Sequence, residues 1–357
     1  MGGCRVISNQ SHTKEWILSI REDSPGKDPI LIEKMIMALT LLEHLKLSGM
    51  DFIFKGGTSL LLVLGSPKRF SIDIDILIPE PQKLESYFAK ILQQGVFYNF
   101  EVSTRSGELP IPKKHFKFFY PSVILKKESH ILLDVLVEKN PYPSLHPLDV
   151  QSSLVSMQGK NTKVICPSKE CLLGDKLTAF APHTTGIPYG KDKELEIAKQ
   201  LFDVAVLFDT IEDVQLVRTT YSNIVYQELT YRSMSLLTST DVLWDSINTS
   251  ILIGMRGANS DREFIELGNG FRKLAGFVYA GSFTLDSAIL CASKTAYLSA
   301  LLLSKKNRIE RFQKGIDISS NIIRNQEYNK INKLKKTNPE AFYYFFRALA
   351  LLKLNEN

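Results

Sequence analysis

The sequence predicts an α+β protein in which a domain of mixed strands and helices precedes a domain built of helices. Up to about residue 165, short β-branched or alternating segments are interspersed with helical patterns, and from Pro167 onward the pattern changes to successive helices. The chain has 357 residues, of which 44% are hydrophobic, and this is enough for two domains with separate cores. We place these domains at residues 1–165 and 166–357.

The elements of the first domain alternate between the two types. Apolar residues at helical spacing predict a helix over residues 29–47, and a short helix is expected at residues 60–64, capped by Thr58. Strands are predicted at residues 52–55, 71–78, 97–104, 115–123 and 130–138. The helices predicted for the second domain are residues 168–180, 194–208, 213–229, 261–279 and 338–352.

Composition narrows the possible functions only modestly. The net charge of +6 permits a polyanionic partner without requiring one. The four cysteines have no CxxC spacing and the six histidines are scattered, so a zinc site or a disulfide framework is not expected. No uninterrupted apolar run reaches the roughly 20 residues of a membrane span. We therefore expect a cytoplasmic protein that does not contact a membrane.

Two aspartates stand one residue apart in the β-branched segment "SIDIDILI". Side chains alternate between the faces of a strand, so Ile72, Ile74 and Ile76 share one face while Asp73 and Asp75 share the other. Each carboxylate favours protonation of its neighbour unless a cation lies between them, and a divalent metal is such a cation. A half-exposed edge strand with two solvated acids is the commoner explanation of an isolated pair. A calcium loop is excluded, because such loops need glycine and more acidic or amide residues.

The segment "HILLDVLVE" supplies a third carboxylate. Asp134 lies between Leu132 and Leu136 on one strand face, and a carboxylate with apolar neighbours on both sides needs a partner. If this strand pairs beside the strand of Asp73 and Asp75, the three aspartates form a metal-binding patch.

A Gly-Gly turn precedes the aspartates and joins a strand to a helix. It matches neither a P-loop nor a dinucleotide-binding motif, and alone it is more often a tight turn than a phosphate site. Together with the three aspartates it indicates a triphosphate site. Gly56 and Gly57 would let the backbone approach the phosphates, while the helix N-terminus and the hydroxyls of Thr58 and Ser59 would face their charge.

These motifs in their order resemble a known family. The segments "FKGGTSL", "KRFSIDIDI", "LLDVLVE", "GDKLTAF" and "KQLFDVAVLF" are similar to those of the AbiEii/AbiGii toxins of bacterial abortive-infection, type IV toxin–antitoxin systems. The resemblance covers about residues 30–210. It implies a polymerase-β-like nucleotidyltransferase domain and transfer from an NTP to RNA, for some members the 3′ end of tRNA. It also implies growth inhibition and an antitoxin encoded upstream.

The resemblance assigns roles by position. It implies that the catalytic residues are Asp73, Asp75, Asp134, Lys176 and Asp203, and that the first three hold Mg²⁺ or Mn²⁺. The implied nucleotide-binding residues are Lys55, Gly56, Gly57, Thr58, Ser59, Arg69, Ser71 and Lys199. Gln200 departs from the family pattern, which often has an acidic residue after the lysine, and this departure leaves Lys199 and the nucleotide preference open.

The residues of the helical domain also have simpler interpretations. Lys176 falls inside an apolar arc of its helix, where a lysine either snorkels to solvent or turns towards a triphosphate. Lys199 and Asp203 are four residues apart on a helix, and the sequence alone favours a surface salt bridge between them.

The acceptor of the nucleotide is the least determined part of the prediction. The segments "SKKNRIERFQK" and "YNKINKLKK" are basic and have aromatic residues nearby, which suits RNA but also suits a solvated helix face. Two alternatives remain: a transferase acting on a protein hydroxyl or a small molecule, and a non-catalytic module that binds a partner. The intact set of Asp73, Asp75, Asp134 and Lys176 argues against the second.

Overall fold

The computed structural model describes residues 7–23, 26–103, 112–257 and 262–356. The chain divides into two compact units. The first comprises the described residues of Met1–Ser168 together with Gly276–Gly281, and the second comprises those of Lys169–Ala275 and Ser282–Asn357. Within the described residues no helix is both long and apolar enough to cross a membrane.

The first unit is organised around a mixed sheet, which in the described residues has seven strands. They are β1 (Ile53–Lys55), β2 (Ile74–Ile78), β3 (Asn99–Val102), β4 (Lys113–Ser122), β5 (Lys127–Val137), β6 (Leu145–Asp149) and β7 (Lys163–Pro167). Their order is β3-β4-β5-β2-β1-β7-β6. The pairs β2/β5 and β1/β7 are parallel and the other pairs are antiparallel.

Helices pack with this sheet to form the core of the first unit. They are α1 (Lys14–Asp23), α2 (Pro29–Leu47), α3 (Gly56–Val63) and α4 (Leu84–Leu92). The α2 helix begins as the sequence predicts, because the Asp28 carboxylate accepts a hydrogen bond from the Ile30 amide at 2.8 Å. In the core, the Phe88 ring of α4 meets the rings of Phe116 and Phe118 of β4 edge to face, with centroids 4.9 and 5.0 Å apart.

The second unit is helical, as the sequence predicts. Its helices among the described residues are α5 (Lys169–Ala179), α6 (Glu194–Phe208), α7 (Val214–Tyr231), α8 (Ser239–Gly254), α9 (Arg262–Ala275), α10 (Leu285–Leu303), α11 (Leu334–Thr337) and α12 (Pro339–Leu351). The prediction for residues 194–208 is confirmed at both ends. Helices α1, α4, α8, α10 and α11 and strands β6 and β7 were missing from the sequence prediction. Residues 104 and 261, which close one predicted strand and open one predicted helix, lie outside the described residues.

The prediction of a helix up to residue 279 was wrong. Helix α9 ends at Ala275, and the next residues are extended beside residues 68–70 of the first unit. The Phe70 amide donates to the Phe277 carbonyl at 2.7 Å and the Tyr279 amide donates to the Lys68 carbonyl at 2.9 Å. Val278 forms an antiparallel bridge with Arg69, so this added segment fixes the chain just before the aspartate strand.

Candidate active site

Two of the three predicted carboxylates lie side by side. Strands β2 and β5 are parallel neighbours, and their register sets Asp75 directly beside Asp134. The strand pairing on which the sequence interpretation depended is therefore present. Strand β2 begins at Ile74 rather than at Ser71, so Asp73 lies immediately before the strand and not within it.

Lys113 of β4 bridges this carboxylate pair. Its Nζ atom is 2.7 Å from Oδ2 of Asp134 and 3.7 Å from Oδ1 of Asp75. Burial favours the neutral amine, but the charges of Asp75 and Asp134 outweigh that effect and raise the pKa of Lys113 above its ordinary value. A cation thus already neutralises the site at which the two acids meet.

His115 holds the other side of Asp134. The two residues face each other across the β4/β5 pair, and Nδ1 of His115 is 2.6 Å from Oδ1 of Asp134, with both side chains buried. Burial disfavours the carboxylate, yet Lys113 and His115 together hold the pKa of Asp134 below its usual range. Asp134 therefore remains ionised at neutral pH, and its two oxygens are oriented by two different residues.

The glycine turn is required by the protein's own side chains. Gly56 has φ +79°, and a Cβ atom there would lie 2.1 Å from Oδ2 of Asp75. A Cβ atom on Gly57 would lie 2.6 Å from Nη2 of Arg69 and 2.8 Å from Oγ of Ser71. The turn consequently brings the backbone against Asp75 on one side and against Arg69 and Ser71 on the other.

The prediction that Thr58 caps a later helix was wrong, because α3 already begins at Gly56. The Thr58 hydroxyl donates to the Asp73 carbonyl at 2.6 Å and lies 3.0 Å from Oγ of Ser71. The Ser59 hydroxyl donates to the Gly56 carbonyl at 2.8 Å. These buried hydroxyls join the glycine turn to the aspartate strand, so the backbone amides of the first turn of α3 are the donors suited to an incoming phosphate.

Basic side chains accompany the turn. Arg69 is 7% exposed, and besides its contact with the turn its guanidinium donates to the Phe70 carbonyl at 3.0 Å. Lys55, at the end of β1, pairs in register with Asp75 and lies 5.7 Å from the Tyr142 ring centroid. Its positive charge opposes the increase in the pKa of Lys113. The first unit therefore combines an acidic pair with several cations at one end of β1 and β2.

The donor atoms suit a hard divalent cation. The carboxylates of Asp75 and Asp134 are the oxygen ligands that Mg²⁺ prefers, and in this structure the Lys113 ammonium supplies the positive charge beside them. Among the residues that the structure describes, no group of three or more His, Cys, Asp or Glu side chains forms a metal cluster.

The other predicted residues lie in the helical unit. Nζ of Lys176 on α5 is 3.1 Å from Oδ2 of Asp203 on α6 and 3.2 Å from Oε1 of Gln200. The side chains of Lys176 and Asp203 are 8% and 1% exposed, so Lys176 does not snorkel into solvent. The interpretation of Asp203 as a member of a surface salt bridge was wrong, because Asp203 is buried and its carboxylate contacts Lys176. Lys199 lies 4.0 Å from Glu196.

Three residues outside the predicted site contact its members: Lys113 and His115, which the sequence analysis missed, and Gln200, which it noted only as a departure from the family pattern. A signal for the first two was present, because Phe116 and Phe118 alternate with Lys113 and His115, and the phenylalanines belong to the core. The sequence therefore allowed the prediction that Lys113 and His115 lie on the face of β4 opposite to the two phenylalanines. Their match to Asp134 depends on the β4/β5 register, which one sequence does not determine.

Removal of the Lys113 charge is expected to destabilise the first unit in a pH-dependent way. Lys113→Met should lower the free energy of unfolding by about 2 kcal/mol at pH 7, because a charged hydrogen bond to Asp134 is lost. The depressed pKa of Asp134 stabilises the fold above the unfolded-state value of about 3.9, so the contribution disappears as pH falls through the folded-state pKa. The stabilisation by this ion pair is also lost at strongly alkaline pH, as the pH rises through the raised pKa of Lys113.

Urea denaturation of the wild type and of Lys113→Met at pH 7 and near pH 2.5 measures this difference. Lys114→Met is the matched control, since Lys114 is the exposed neighbour on the other face of β4. A difference between wild type and Lys113→Met that is equally large at both pH values would contradict the ion pair as its cause.

The mixed sheet, the strand–glycine turn–helix and the carboxylates on adjacent strands are the features of a nucleotidyltransferase domain. The family model described as "Nucleotidyl transferase AbiEii toxin, Type IV TA system" matches residues 40–263, more than half of the chain. The chain belongs to this family, and it is a nucleotidyltransferase of the toxin class. Membership implies a nucleotide substrate and an antitoxin partner.

Solved structures show more distant likeness. JHP933 from Helicobacter pylori is 12% identical with a TM-score of 0.42, and the match covers 84% of this chain and 94% of that one. A candidate nucleotidyltransferase from H. pylori is 14% identical with a TM-score of 0.42, covering 77% and 94%. An antigenic nucleotidyltransferase-like protein from Paracoccidioides brasiliensis is 15% identical with a TM-score of 0.35, covering 56% and 91%. No curated protein sequence matches the chain.

Proposed function

We propose that this toxin transfers a nucleoside monophosphate from an NTP to an RNA acceptor, the 3′ end of tRNA, in a Mg²⁺-dependent reaction in the cytoplasm, and that this transfer inhibits growth. The observation that carries the proposal is the carboxylate pair of Asp75 and Asp134, which are direct neighbours on the adjacent strands β2 and β5. Asp75 also lies against the glycine turn. A turn that can bind phosphates beside paired acids suits nucleotidyl transfer more than hydrolysis by a nucleophilic side chain.

The residues of the chain act chiefly by positioning and by charge. Amides of the first turn of α3 bind the triphosphate, and Arg69 and Ser71, which lie against Gly57, bind it from the side. Asp73, Asp75 and Asp134 would hold Mg²⁺ or Mn²⁺. The chemistry that the metal supplies when bound is polarisation of the reacting phosphate and neutralisation of the pyrophosphate that leaves.

His115 and Lys113 orient Asp134 for this role. The hydrogen bond from Nδ1 of His115 fixes one carboxylate oxygen, and the Lys113 ammonium binds the other. Because the pKa of Asp134 is held below its usual range, its carboxylate stays ionised and serves as a metal ligand rather than as a proton donor. Lys55 and Lys113 add positive charge where negative charge accumulates on the phosphates.

We also propose catalytic roles for Lys176 and Asp203 and a nucleotide contact for Lys199, because their positions resemble the later motifs of the family. The buried Lys176–Asp203 pair supports a shared role for these two residues, since an ion pair that is almost fully buried is costly to retain without one. RNA as the acceptor is supported by the basic character of residues 305–336. An abortive-infection role and an antitoxin encoded upstream complete the proposal.

The test is incubation of the protein with total tRNA, Mg²⁺ and each α-³²P-labelled NTP in turn, followed by electrophoresis and 3′-end mapping. We expect label at the tRNA 3′ end with one or two of the NTPs and none after chelation of the metal. The same reactions with cell protein or an aminoglycoside in place of tRNA are the competing arms. Label in protein or drug but not in RNA would reject the proposed acceptor.

A further inference from the structure

A basic segment of the helical unit is held in place without forming a helix or a strand. Residues 305–314, which we call the basic strap, follow α10 and contain five cations, Lys305, Lys306, Arg308, Arg311 and Lys314, against the single acid Glu310. A charged chain of this composition gains little from burial and stays mobile unless other groups bind it. The structure shows which groups bind it.

Arg218 of α7 binds the first part of the basic strap. Its guanidinium donates to Oδ1 of Asn307 at 2.7 Å and to the Lys306 carbonyl at 2.8 Å. A planar guanidinium with two donors in fixed geometry holds both position and orientation. The backbone of Lys306 and Asn307 is consequently fixed on α7.

Two tyrosines bind the next part. The Glu310 amide donates to the hydroxyl of Tyr297 at 2.9 Å, and the Phe312 amide donates to the hydroxyl of Tyr344 at 3.1 Å. Both tyrosines are at least 98% buried, so their hydroxyls are rigid acceptors. Arg311 is also held, because its guanidinium donates to the Ile211 carbonyl at 2.7 Å. The backbone of the basic strap is therefore held at several points along its length.

The strap forms the wall of a pocket of about 410 Å³. Its polar lining includes Tyr297, Lys306, Asn307, Arg308, Glu310 and Arg347. Glu310 is neutralised by an ion pair with Arg347, whose guanidinium lies 5.7 Å from the Tyr343 ring centroid. In the described part of the chain the charged groups of Lys306 and Arg308 form no ion pair. The pocket therefore carries two uncompensated positive charges.

We propose that this pocket binds a backbone phosphate of the RNA acceptor, through Lys306 and Arg308. The volume accommodates one nucleotide unit, since ligand pockets usually measure about 300–1,000 Å³. Because the backbone of the strap is already fixed, binding does not have to order it, which favours a phosphate here over one bound by cations on a mobile chain. This inference rests on the proposed function for the identity of the polyanion. A free nucleoside triphosphate is the other ligand that could offer a phosphate to these two cations.

The test compares two double variants with the same loss of charge. Lys306→Gln/Arg308→Gln removes the pocket charges, and Lys191→Gln/Lys193→Gln removes two exposed cations of the helical unit outside residues 305–336. Fluorescence anisotropy with labelled tRNA, measured from low to moderate KCl, gives Kd and its salt dependence. For the pocket variant we expect about tenfold weaker binding and a slope of log Kd against log salt that is lower by about 0.7, as the loss of one phosphate contact predicts. The control should change Kd by less than about twofold.

Either of two other outcomes would overturn the inference. Equal weakening by both double variants would mean that net charge, not the pocket, sets affinity. An unchanged Kd for tRNA with an increased KM for NTP would assign the pocket to the free nucleotide. Circular dichroism spectra and melting temperatures check that both variants are folded.

Failure of the proposed function is distinguishable from failure of this inference. It would appear as wild-type protein that labels no RNA, whereas the pocket is judged from tRNA binding alone.

Discussion

Asp75→Asn is expected to lower nucleotide transfer by at least about a thousandfold, equivalent to about 4 kcal/mol of transition-state stabilisation. Asparagine has nearly the shape of aspartate, so it fits beside Gly56, where a Cβ atom on the glycine would already clash. The substitution removes the negative charge of Asp75, and with it half of the charge that attracts a cation to the Asp75–Asp134 pair. Asp73→Asn should have an effect of the same order if Asp73 is the further metal ligand.

The fold should survive, because Lys113 and His115 continue to bind Asp134 in Asp75→Asn. The measurements are the rate of labelled NMP incorporation at saturating Mg²⁺, the melting temperature, and growth of a bacterial host that expresses each form. Asp51→Asn is the matched control, since its side chain is 92% exposed and pairs with Lys46 at the surface. Near-normal transfer by Asp75→Asn would reject the metal assignment. Equal toxicity of wild type and variant would show that growth inhibition does not need catalysis.

The carboxylate pair was predictable because it depends on local rules. Alternation along a strand placed the isoleucines and Asp75 on opposite faces, and apolar neighbours on both sides marked Asp134 as a carboxylate in need of a partner. The parallel pairing of β2 with β5 then sets the two beside each other. The need for glycine at position 56 was also foreseen, but the group that approaches it in the structure is the Asp75 carboxylate.

Contacts between distant segments were not predictable in the same way. The bridge between Arg69 and Val278 joins residues that are far apart in the sequence, and residues 276–279 continue a helical pattern until that pairing overrides it. Helix α10 was missed although Thr284 and Ser287 form a capping box at its start. The inward orientation of Asp203 likewise depends on the packing of α5 with α6 and not on the spacing within α6.

Lys176→Met is expected to destabilise the protein by about 3–5 kcal/mol, because Asp203 would stay almost fully buried without the ammonium that neutralises it. The apolar arc of α5 accepts the methionine stem, so packing is preserved and the cost is electrostatic. Urea denaturation and melting temperature measure it. Lys191→Met is the stability control, since Lys191 is an exposed lysine of the same unit and a surface substitution should change stability by less than about 1 kcal/mol.

The double variant Lys176→Met/Asp203→Asn separates a structural role of the pair from a catalytic one. Removing both charges together should restore most of the lost stability, because a buried pair can often be replaced by neutral groups at little cost. If Lys176 acts on the nucleotide, transfer should remain at least about tenfold below wild type in the double variant, since a charge-assisted contact is worth about 1.5–3 kcal/mol. Recovery of both stability and transfer would show that the pair only stabilises the packing of α5 on α6. A single Lys176→Met variant as stable as the wild type would contradict the buried ion pair itself.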